Sequence, residues 1–394
     1  MSDVKVSAEQ FRPPESLAGV QTRALWIGAA GIVLSVVGVV LDREQFFRSY
    51  LVAWVFWTAV ALGCLGWQMV QHLSAGYWGL VLRRALEAGA RTLPFLFLLF
   101  VPLYFGMESV WEWATEHAAH DELIQKKAAY LNVPFFWARA AIYFAIWTVL
   151  AYTLSHYSRR QDETGAPEVT VRLRNISGPG VVVFVLVSTF ACWDWLMSLN
   201  PHWFSSLYGF YFVSSTALTG VLFMIVCAWW LAQRPPLDRL LTPKHFHDYG
   251  KLSLALVMFW AYMTLSQFLI TWAGHVPEFT IWYHARNSGG WRPYTYFLVI
   301  FHFFVPFLML LSAALKKQPS RLVLVACYLL VMRWLDLYWQ VAPTFHRELT
   351  FHWLDATTLV GVGGLWVFLF VRELRSRTMV PIRDPYFPEM VAHE

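Results

Sequence analysis

The sequence predicts an all-α integral membrane protein with about ten transmembrane helices. Its 394 residues are 58% hydrophobic and only 14% charged, and the mean hydropathy is +0.46. Soluble domains contain about 25% charged residues, so the composition excludes an ordinary soluble protein. Separate apolar runs along the chain also have the length that a helix needs to cross the hydrocarbon core, about 20 residues.

The predicted spans end at charged residues, proline or glycine. For example, span three ends at Glu108, and span four carries Arg139 one turn inside its start. The ten spans lie near residues 24–41, 50–73, 92–108, 135–155, 178–199, 207–232, 251–273, 294–315, 321–339 and 355–371. The membrane domain, 24–371, therefore lies between an N-terminal tail, 1–23, and a C-terminal tail, 372–394.

The distribution of Lys and Arg predicts the orientation of the chain. With ten spans both termini lie on one side, and Lys and Arg number 21 on that side against 7 on the other. Cytoplasmic loops carry the excess of Lys and Arg in membrane proteins. Both termini are therefore predicted to be cytoplasmic. The net charge of +5 follows from this topology and does not indicate a nucleic-acid partner.

A weak internal repeat predicts two four-helix units, about 50–199 and about 207–339. In each unit a basic loop is followed by a long loop on the other side and then by an aromatic helix that begins with proline. The start of that helix reads Val133-Pro134-Phe135-Phe136-Trp137 in the first unit and Arg292-Pro293-Tyr294-Thr295-Tyr296 in the second. Duplicated units of this kind are common in membrane carriers of substrates or protons.

Asp194 is the most informative charged residue, because it lies near the end of span five. An acid in the middle of a membrane costs about 2.5 to 3.5 kcal/mol on insertion scales. One interpretation is structural: Asp194 pairs with Arg139 and neutralises two costly charges. The other is chemical: Asp194 accepts protons released when a quinol is oxidised, His202 is their outlet, and Arg139 keeps the acid ionised.

Three polar residues of span seven, with Glu108 of span three, are candidates for binding a quinone. Tyr262, Ser266 and Gln267 are predicted to share one helical face and could donate hydrogen bonds to a quinone carbonyl. Such residues also join transmembrane helices, and this structural interpretation is favoured.

Other charged residues are expected to be structural. Arg333 and Asp336, three residues apart in span nine, are predicted to pair with each other. On the side of the termini, His72, Arg83 and Arg84 are expected to be solvated loop groups rather than parts of a proton path.

The pattern of Cys and His does not favour a redox centre in this chain. The four cysteines lie singly in apolar runs, without a Cys-x-x-Cys pair. A haem held by two histidines needs a facing pair at membrane depth, and only His302 lies clearly within a span. We therefore expect no haem, no iron–sulfur cluster and no metal here, so that partner subunits would carry any electrons.

Five stretches of the sequence are distinctive enough to suggest a family. They are Asp194–Ser206 (DWLMSLNPHWFSS), Tyr262–Trp272 (YMTLSQFLITW), Phe47–Tyr50 (FRSY), Gln71–Leu73 (QHL) and Arg91–Pro94 (RTLP). They resemble the ActF subunit of alternative complex III, a bacterial quinol:cytochrome c (or high-potential iron–sulfur protein) oxidoreductase. The resemblance covers nearly the whole chain. It departs from the family at Asn200, where an acid is common.

The resemblance implies an NrfD-like membrane subunit of the bacterial inner membrane, with ten spans in two four-helix bundles. The implied partners are a sister NrfD-like subunit, an iron–sulfur and molybdopterin-like extrinsic subunit, haem c subunits and, in many such complexes, a terminal oxidase. A quinol such as menaquinol would be oxidised near the periplasmic face, which makes a quinone the candidate ligand. The sister subunit is the better established quinol site in the family.

Three alternatives therefore stay open for this chain. It contributes to quinol oxidation, it conducts protons only, or it is a structural anchor without a quinone site. An independent transporter is a further class, and it predicts a chain that is stable and active alone.

Overall fold

The computed structural model describes residues 8–388, which form helices and loops without a β-strand. The outer ends of the two predicted tails, residues 1–7 and 389–394, lie outside the described residues. Ten helical segments are long and apolar enough to cross a membrane. The chain is therefore an all-α, multi-pass membrane protein, as its composition predicts.

The ten long segments follow one another along the chain and are called α1 to α10. Their bounds are α1 Ser16–Leu41, α2 Arg43–Ser74, α3 Arg83–Val110, α4 Val133–Thr164, α5 Pro167–Trp195, α6 Leu207–Leu231, α7 Pro243–Gly274, α8 Trp291–Leu311, α9 Pro319–Val341 and α10 Trp353–Arg375. Short helices in the connections include Tyr77–Leu80, Glu116–His120, Glu122–Lys126, Met197–Leu199, Pro277–Arg286 and Ala342–Thr344.

Several helices extend further than the predicted spans. α4 continues to Thr164 rather than ending near residue 155, and α7 begins at Pro243 rather than near 251. Hydropathy marks only the part of a helix that is apolar enough for lipid, whereas backbone hydrogen bonding continues through polar residues until a cap or proline ends it. The number of spans is confirmed, and their ends are corrected.

Two helices depart from regular α geometry. α3 is interrupted after Ala90 and contains a 3₁₀ turn at Val101–Gly106. Pro94 and Pro102 lie in these irregular parts, where a residue without an N–H group cannot continue the α-helical hydrogen bonds. α8 contains a π-helical turn at Val299–Phe304, a feature that is rare and frequently found at functional sites.

α2 and α6 form the centre of the protein, with 89% and 72% of their apolar windows buried. They cross closely at Gly63 and Gly220, where a Cβ on Gly63 would lie 2.6 Å from Gly220 Cα. α2 also packs against α3, α5 and α10, while α6 packs against α5, α7 and α9. Small residues allow such close packing between transmembrane helices.

The chain ends described by the structure lie together at one end of the helices. The Met379 N–H donates a hydrogen bond to the Phe11 carbonyl at 2.8 Å. We call this end the terminal face and the opposite end the distal face. α1 and α10, which lead to these two residues, pack against each other along their length.

The terminal face contains buried charged residues, so the expectation of solvated loop groups is wrong. His72, Arg83 and Arg84 are 6%, 2% and 2% exposed. Arg83 pairs with Asp384 at 2.7 Å, and Arg84 pairs with Glu87 at 2.7 Å. The reason is that α3 begins inside the protein and the segment after α10 folds over it, which hydropathy cannot predict.

Candidate functional site

The last turn of α5 places Asp194 in a buried site at the distal face. Its side chain is held by the Arg139 guanidinium from α4, with Nε 2.8 Å from Oδ2 and Nη2 2.9 Å from Oδ1. One turn further along α4, the Tyr143 hydroxyl donates to Oδ2 at 2.8 Å. Two parallel hydrogen bonds are the strongest geometry for an Arg–carboxylate pair. The predicted pairing of Asp194 with Arg139 is confirmed.

The rest of the Arg139 guanidinium is also surrounded. Its Nη1 donates to the Tyr130 carbonyl at 2.8 Å, and Cζ lies 3.8 Å from the Tyr130 ring centre and 4.3 Å from that of Phe135. Burial, and then the Asp194 carboxylate, raise the pKa of the Tyr130 hydroxyl to about 12. Tyr130 therefore stays protonated at neutral pH, and the cationic group that contacts Asp194 is Arg139.

His202 does not pair with Asp194. Its Nε2 lies 3.1 Å from Oδ2 of Asp121, a residue of the loop between α3 and α4. The Ile124 amide that donates to Asp121 lowers the pKa of this carboxyl, and the nearby His202 lowers it further. His202 and Asp121 are both partly exposed at the distal face. The expected outlet, His202, therefore contacts Asp121 at the surface rather than Asp194.

The candidate quinone residues are not brought together. Gln267 is buried and accepts a hydrogen bond from the Ser205 hydroxyl at 2.5 Å, whereas Tyr262 is 62% exposed. Residues five apart in an α-helix, such as Tyr262 and Gln267, point about 140° away from each other. The prediction that Tyr262, Ser266 and Gln267 share one face is therefore wrong. Glu108 lies on the surface near the end of α3.

A second buried acid, Asp336 in α9, occupies a position that matches Asp194. Each aspartate lies seven residues before a proline, Pro201 or Pro343, and in each case a 3₁₀ helix forms near that proline. Asp336 is 1% exposed. This repeated Asp-x₆-Pro spacing is the sequence signal that could have identified Asp336 as the counterpart of Asp194.

The ligands of Asp336 come from two helices. The Tyr211 hydroxyl of α6 lies 2.7 Å from Oδ1 and 2.5 Å from Oδ2, and the Gln340 amide donates to Oδ2 at 3.1 Å. Arg333, one turn earlier in α9, completes the ion pair through Nη1. The predicted pairing of Arg333 with Asp336 is confirmed, but the tyrosine and glutamine extend it into a larger network.

The two proline-containing helix ends contact each other. The Asn200 side-chain amide donates to the Thr344 hydroxyl at 3.0 Å. Asn200 follows α5 and Thr344 follows α9, so this bond joins the ends of the two helices that carry the buried acids. Asn200 therefore has a structural contact in this protein.

Two narrow clefts lie beside these groups. One, of about 300 Å³ between the surrounding atoms, is lined by residues of α2, α6 and α9 that include Tyr211, Arg333 and Gln340. The other, of about 200 Å³, contacts His346 and Asp355 near the start of α10. Each has room for about one water molecule once atomic radii are allowed for. A quinone ring does not fit in either.

Comparison of the chain with models of known protein families gives no match, and a search of curated proteins gives none. Within residues 8–388, His, Cys, Asp and Glu side chains form no group of three or more that could bind a metal ion.

Proposed function

We propose that this chain is an integral subunit of a respiratory quinol:cytochrome c (or high-potential iron–sulfur protein) oxidoreductase of the alternative complex III type. In this complex it contributes proton transfer near the periplasmic face of a bacterial inner membrane. The five motifs that resemble the ActF family support this proposal, as does the number of spans. The excess of Lys and Arg on the terminal face supports cytoplasmic termini.

The proposal includes two four-helix bundles, α2–α5 and α6–α9. The contacts of α2 with α3 and α5, of α4 with α5, and of α6 with α7 and α9 support this arrangement. α1 and α10 would then pack together outside the bundles. The matching Asp-x₆-Pro segments at the ends of α5 and α9 support a duplicated origin of the two bundles.

One observation favours proton transfer over quinol chemistry in this chain. Two aspartates, Asp194 and Asp336, are buried at the distal face, and the clefts beside Asp336 and near α10 hold water-sized rather than quinone-sized space. Buried ionisable groups in membrane proteins commonly lie on proton paths. Quinol oxidation itself is then assigned to the sister NrfD-like subunit, while haem c and iron–sulfur clusters belong to other partners.

A structural anchor is the second candidate function. The observation that favours it is the two-point ion pair of Arg139 with Asp194, in which the Tyr143 hydroxyl also bonds to the acid. A two-point Arg–carboxylate pair of this kind fixes the relative position of the two side chains. In an anchor, both charges would serve only to hold α4 against α5.

Asp194→Asn distinguishes these functions in the complex purified through a tag on this chain. Asparagine keeps the shape of the side chain and removes its titratable proton. A proton-transfer role predicts normal assembly with a loss of quinol-to-cytochrome turnover of about tenfold, which corresponds to about 1.4 kcal/mol of barrier. An anchor predicts loss of assembly, with unchanged turnover per assembled complex. Glu278→Gln, at an exposed acid in the loop before α8, is the matched control.

Co-purification tests the complex itself. The proposal predicts that haem c and iron–sulfur proteins elute with this chain in mild detergent. Elution of a chain that is stable and active without haem-containing partners would contradict it and favour an independent transporter.

A further inference from the structure

His302 is a buried titratable residue that the function proposed above does not explain. His302 lies in the π-helical turn of α8 and is 0% exposed. Neither Nδ1 nor Nε2 has a hydrogen-bond partner among the described residues. Buried polar groups are almost always hydrogen-bonded, either to protein or to ordered water. Two free nitrogens on one buried ring therefore point to a ligand too small to displace the surrounding side chains.

The surroundings of His302 are the network of the second acid. Its ring centre lies 3.9 Å from that of Trp260, whose indole N–H donates to the Tyr211 hydroxyl at 3.4 Å. Nε of Arg333, the residue that pairs with Asp336, also lacks a partner among the described residues. Trp260 and Tyr211 thus connect the His302 ring to the Asp336 carboxylate.

The internal repeat gives His302 a counterpart with a known contact. Tyr143 lies nine residues after Pro134, and His302 lies nine residues after Pro293. In the first half the Tyr143 hydroxyl bonds directly to Asp194 at 2.8 Å. In the second half a π-helical turn lies at this point of α8. The hydroxyl that bonds to the acid, Asp336, comes from Tyr211 rather than from His302. His302 therefore matches Tyr143 in its sequence position, but its ring nitrogens have no hydrogen-bond partner among the described residues.

We propose that His302 is a proton-relay residue that binds water on both ring nitrogens and exchanges protons with the Asp336 network. This inference rests on the proton-transfer role proposed above, and it places a step of that proton transfer in α6–α9. The ligand is water, because only a molecule of that size can reach two nitrogens on a ring that is 0% exposed. A histidine with a purely structural role would hydrogen-bond at least one ring nitrogen to a protein group, whereas a proton relay needs both ring nitrogens in contact with water.

The relay step conserves protons. A hydrated proton, present as hydronium at the unprotonated nitrogen of the neutral ring, passes to that nitrogen and leaves a water molecule behind. The opposite nitrogen then releases its own proton to a second water. The ring is left as the other tautomer, and the released proton passes through that water toward the Asp336 carboxylate. The ring returns to its first state by rotation or by the reverse transfer.

Nitrogen-15 magnetic resonance of histidine-labelled full chain in lipid bilayers tests the site without quinol or partner subunits. The chain has 13 histidines, so His302 is assigned as the signal lost in His302→Gln. We expect both ring nitrogens to show hydrogen bonding and proton exchange with water. Asp336→Asn should slow this exchange about tenfold or more, while Glu278→Gln, at an exposed acid, should leave it unchanged.

Two results would overturn the proposal: ring nitrogens without contact to water, or exchange that Asp336→Asn does not alter. Should His302→Gln fail to retain its helical content, His302→Tyr serves for assignment, because it restores the residue found at the matching place in the first half. Quinol-to-cytochrome turnover of the purified complex distinguishes failure of the His302 relay from failure of the proposed respiratory function. If exchange is observed but the complex oxidises no quinol, the relay stands and the respiratory function fails.

Discussion

The two halves of the protein hold a buried aspartate at the same place but by different means. In α2–α5, the arginine that pairs with Asp194 comes from the neighbouring helix, so the ion pair joins α4 to α5. In α6–α9, Arg333 lies one turn from Asp336 on the same helix, and the bond to another helix comes from Tyr211. The first pair therefore connects two helices through charge, and the second through a neutral hydroxyl.

This difference shows that the role of a buried acid depends on its partners rather than on its position in a repeat. Asp194 accepts hydrogen bonds from Arg139 and Tyr143, both on the neighbouring helix α4. Around Asp336, nitrogens of His302 and Arg333 lack partners among the described residues. The second half thus contains a buried histidine and an arginine nitrogen that the fold leaves without a protein partner.

The largest expected effect comes from removing the arginine that joins α4 to α5. Arg139→Leu leaves Asp194 as an uncompensated buried charge and should lower the free energy of unfolding by about 3–5 kcal/mol. Arg333→Leu should cost less, because Asp336 keeps its bonds from Tyr211 and Gln340. Unfolding in mild detergent measures both, with the exposed Arg239→Leu as control. Equal losses in the two halves would contradict the comparison.

The contact between the halves should be nearly as sensitive. Gly63→Val places a side chain against Gly220 Cα and the Thr216 carbonyl, where a Cβ alone would lie within 2.6 and 2.8 Å. Overpacking of this kind costs about 1–3 kcal/mol. Gly178→Val, at a glycine with open space around it, should be close to neutral. The same unfolding assay compares the two, and equal stability would show that α2 and α6 can separate without cost.

Removing the tyrosine hydroxyl in each half should distinguish a hydroxyl that makes one hydrogen bond from a hydroxyl that belongs to a network of hydrogen bonds. Tyr143→Phe removes one donor and should cost about 1 kcal/mol, a typical value for one hydrogen bond. Tyr211→Phe should cost about 2 kcal/mol, because the lost hydroxyl also accepts bonds from Gln340 and Trp260. Thermal unfolding of both variants checks the order. A larger loss for Tyr143→Phe would reverse the assignment of the network to the second half.

The smallest effect is expected at the contact between the two proline-containing helix ends. Asn200→Ala removes the bond to the Thr344 hydroxyl and should cost about 0.5–1.5 kcal/mol. Hydrogen exchange of the backbone at 197–204 and 342–346 should become faster together. Asn287→Ala, at an exposed asparagine, is the control. Faster exchange on only one side would show that the two ends are held independently.

Much of the fold can be predicted from the sequence because hydrophobicity is a local property. The ten apolar runs identify the ten spans, and the three-residue spacing of Arg333 and Asp336 predicts their pairing. The helix ends are less predictable, since polar residues extend α4 and α7 beyond the apolar core. The irregular course of α3 likewise depends on where its prolines fall within the packed protein.

The candidate site is only half predictable. The sequence by itself determined that Asp194 needs a partner or a function, because an acid in an apolar helix is costly. Which of these applies depends on the rotation of α4 against α5, and only the tertiary structure shows Arg139 and Tyr143 on the carboxylate. The same holds for His202, which the fold pairs with Asp121.

The sequence by itself therefore determined the class of protein, the number of spans and the pairs formed within one helix, since each follows from residues close together in the chain. The tertiary structure decided which groups meet across helices: the buried charges at the terminal face, the partners of the two acids and the free ring of His302. The physical reason is that these contacts depend on the rotation and depth of each helix. Those are set by packing at positions such as Gly63 and Gly220, far along the chain from the groups they bring together.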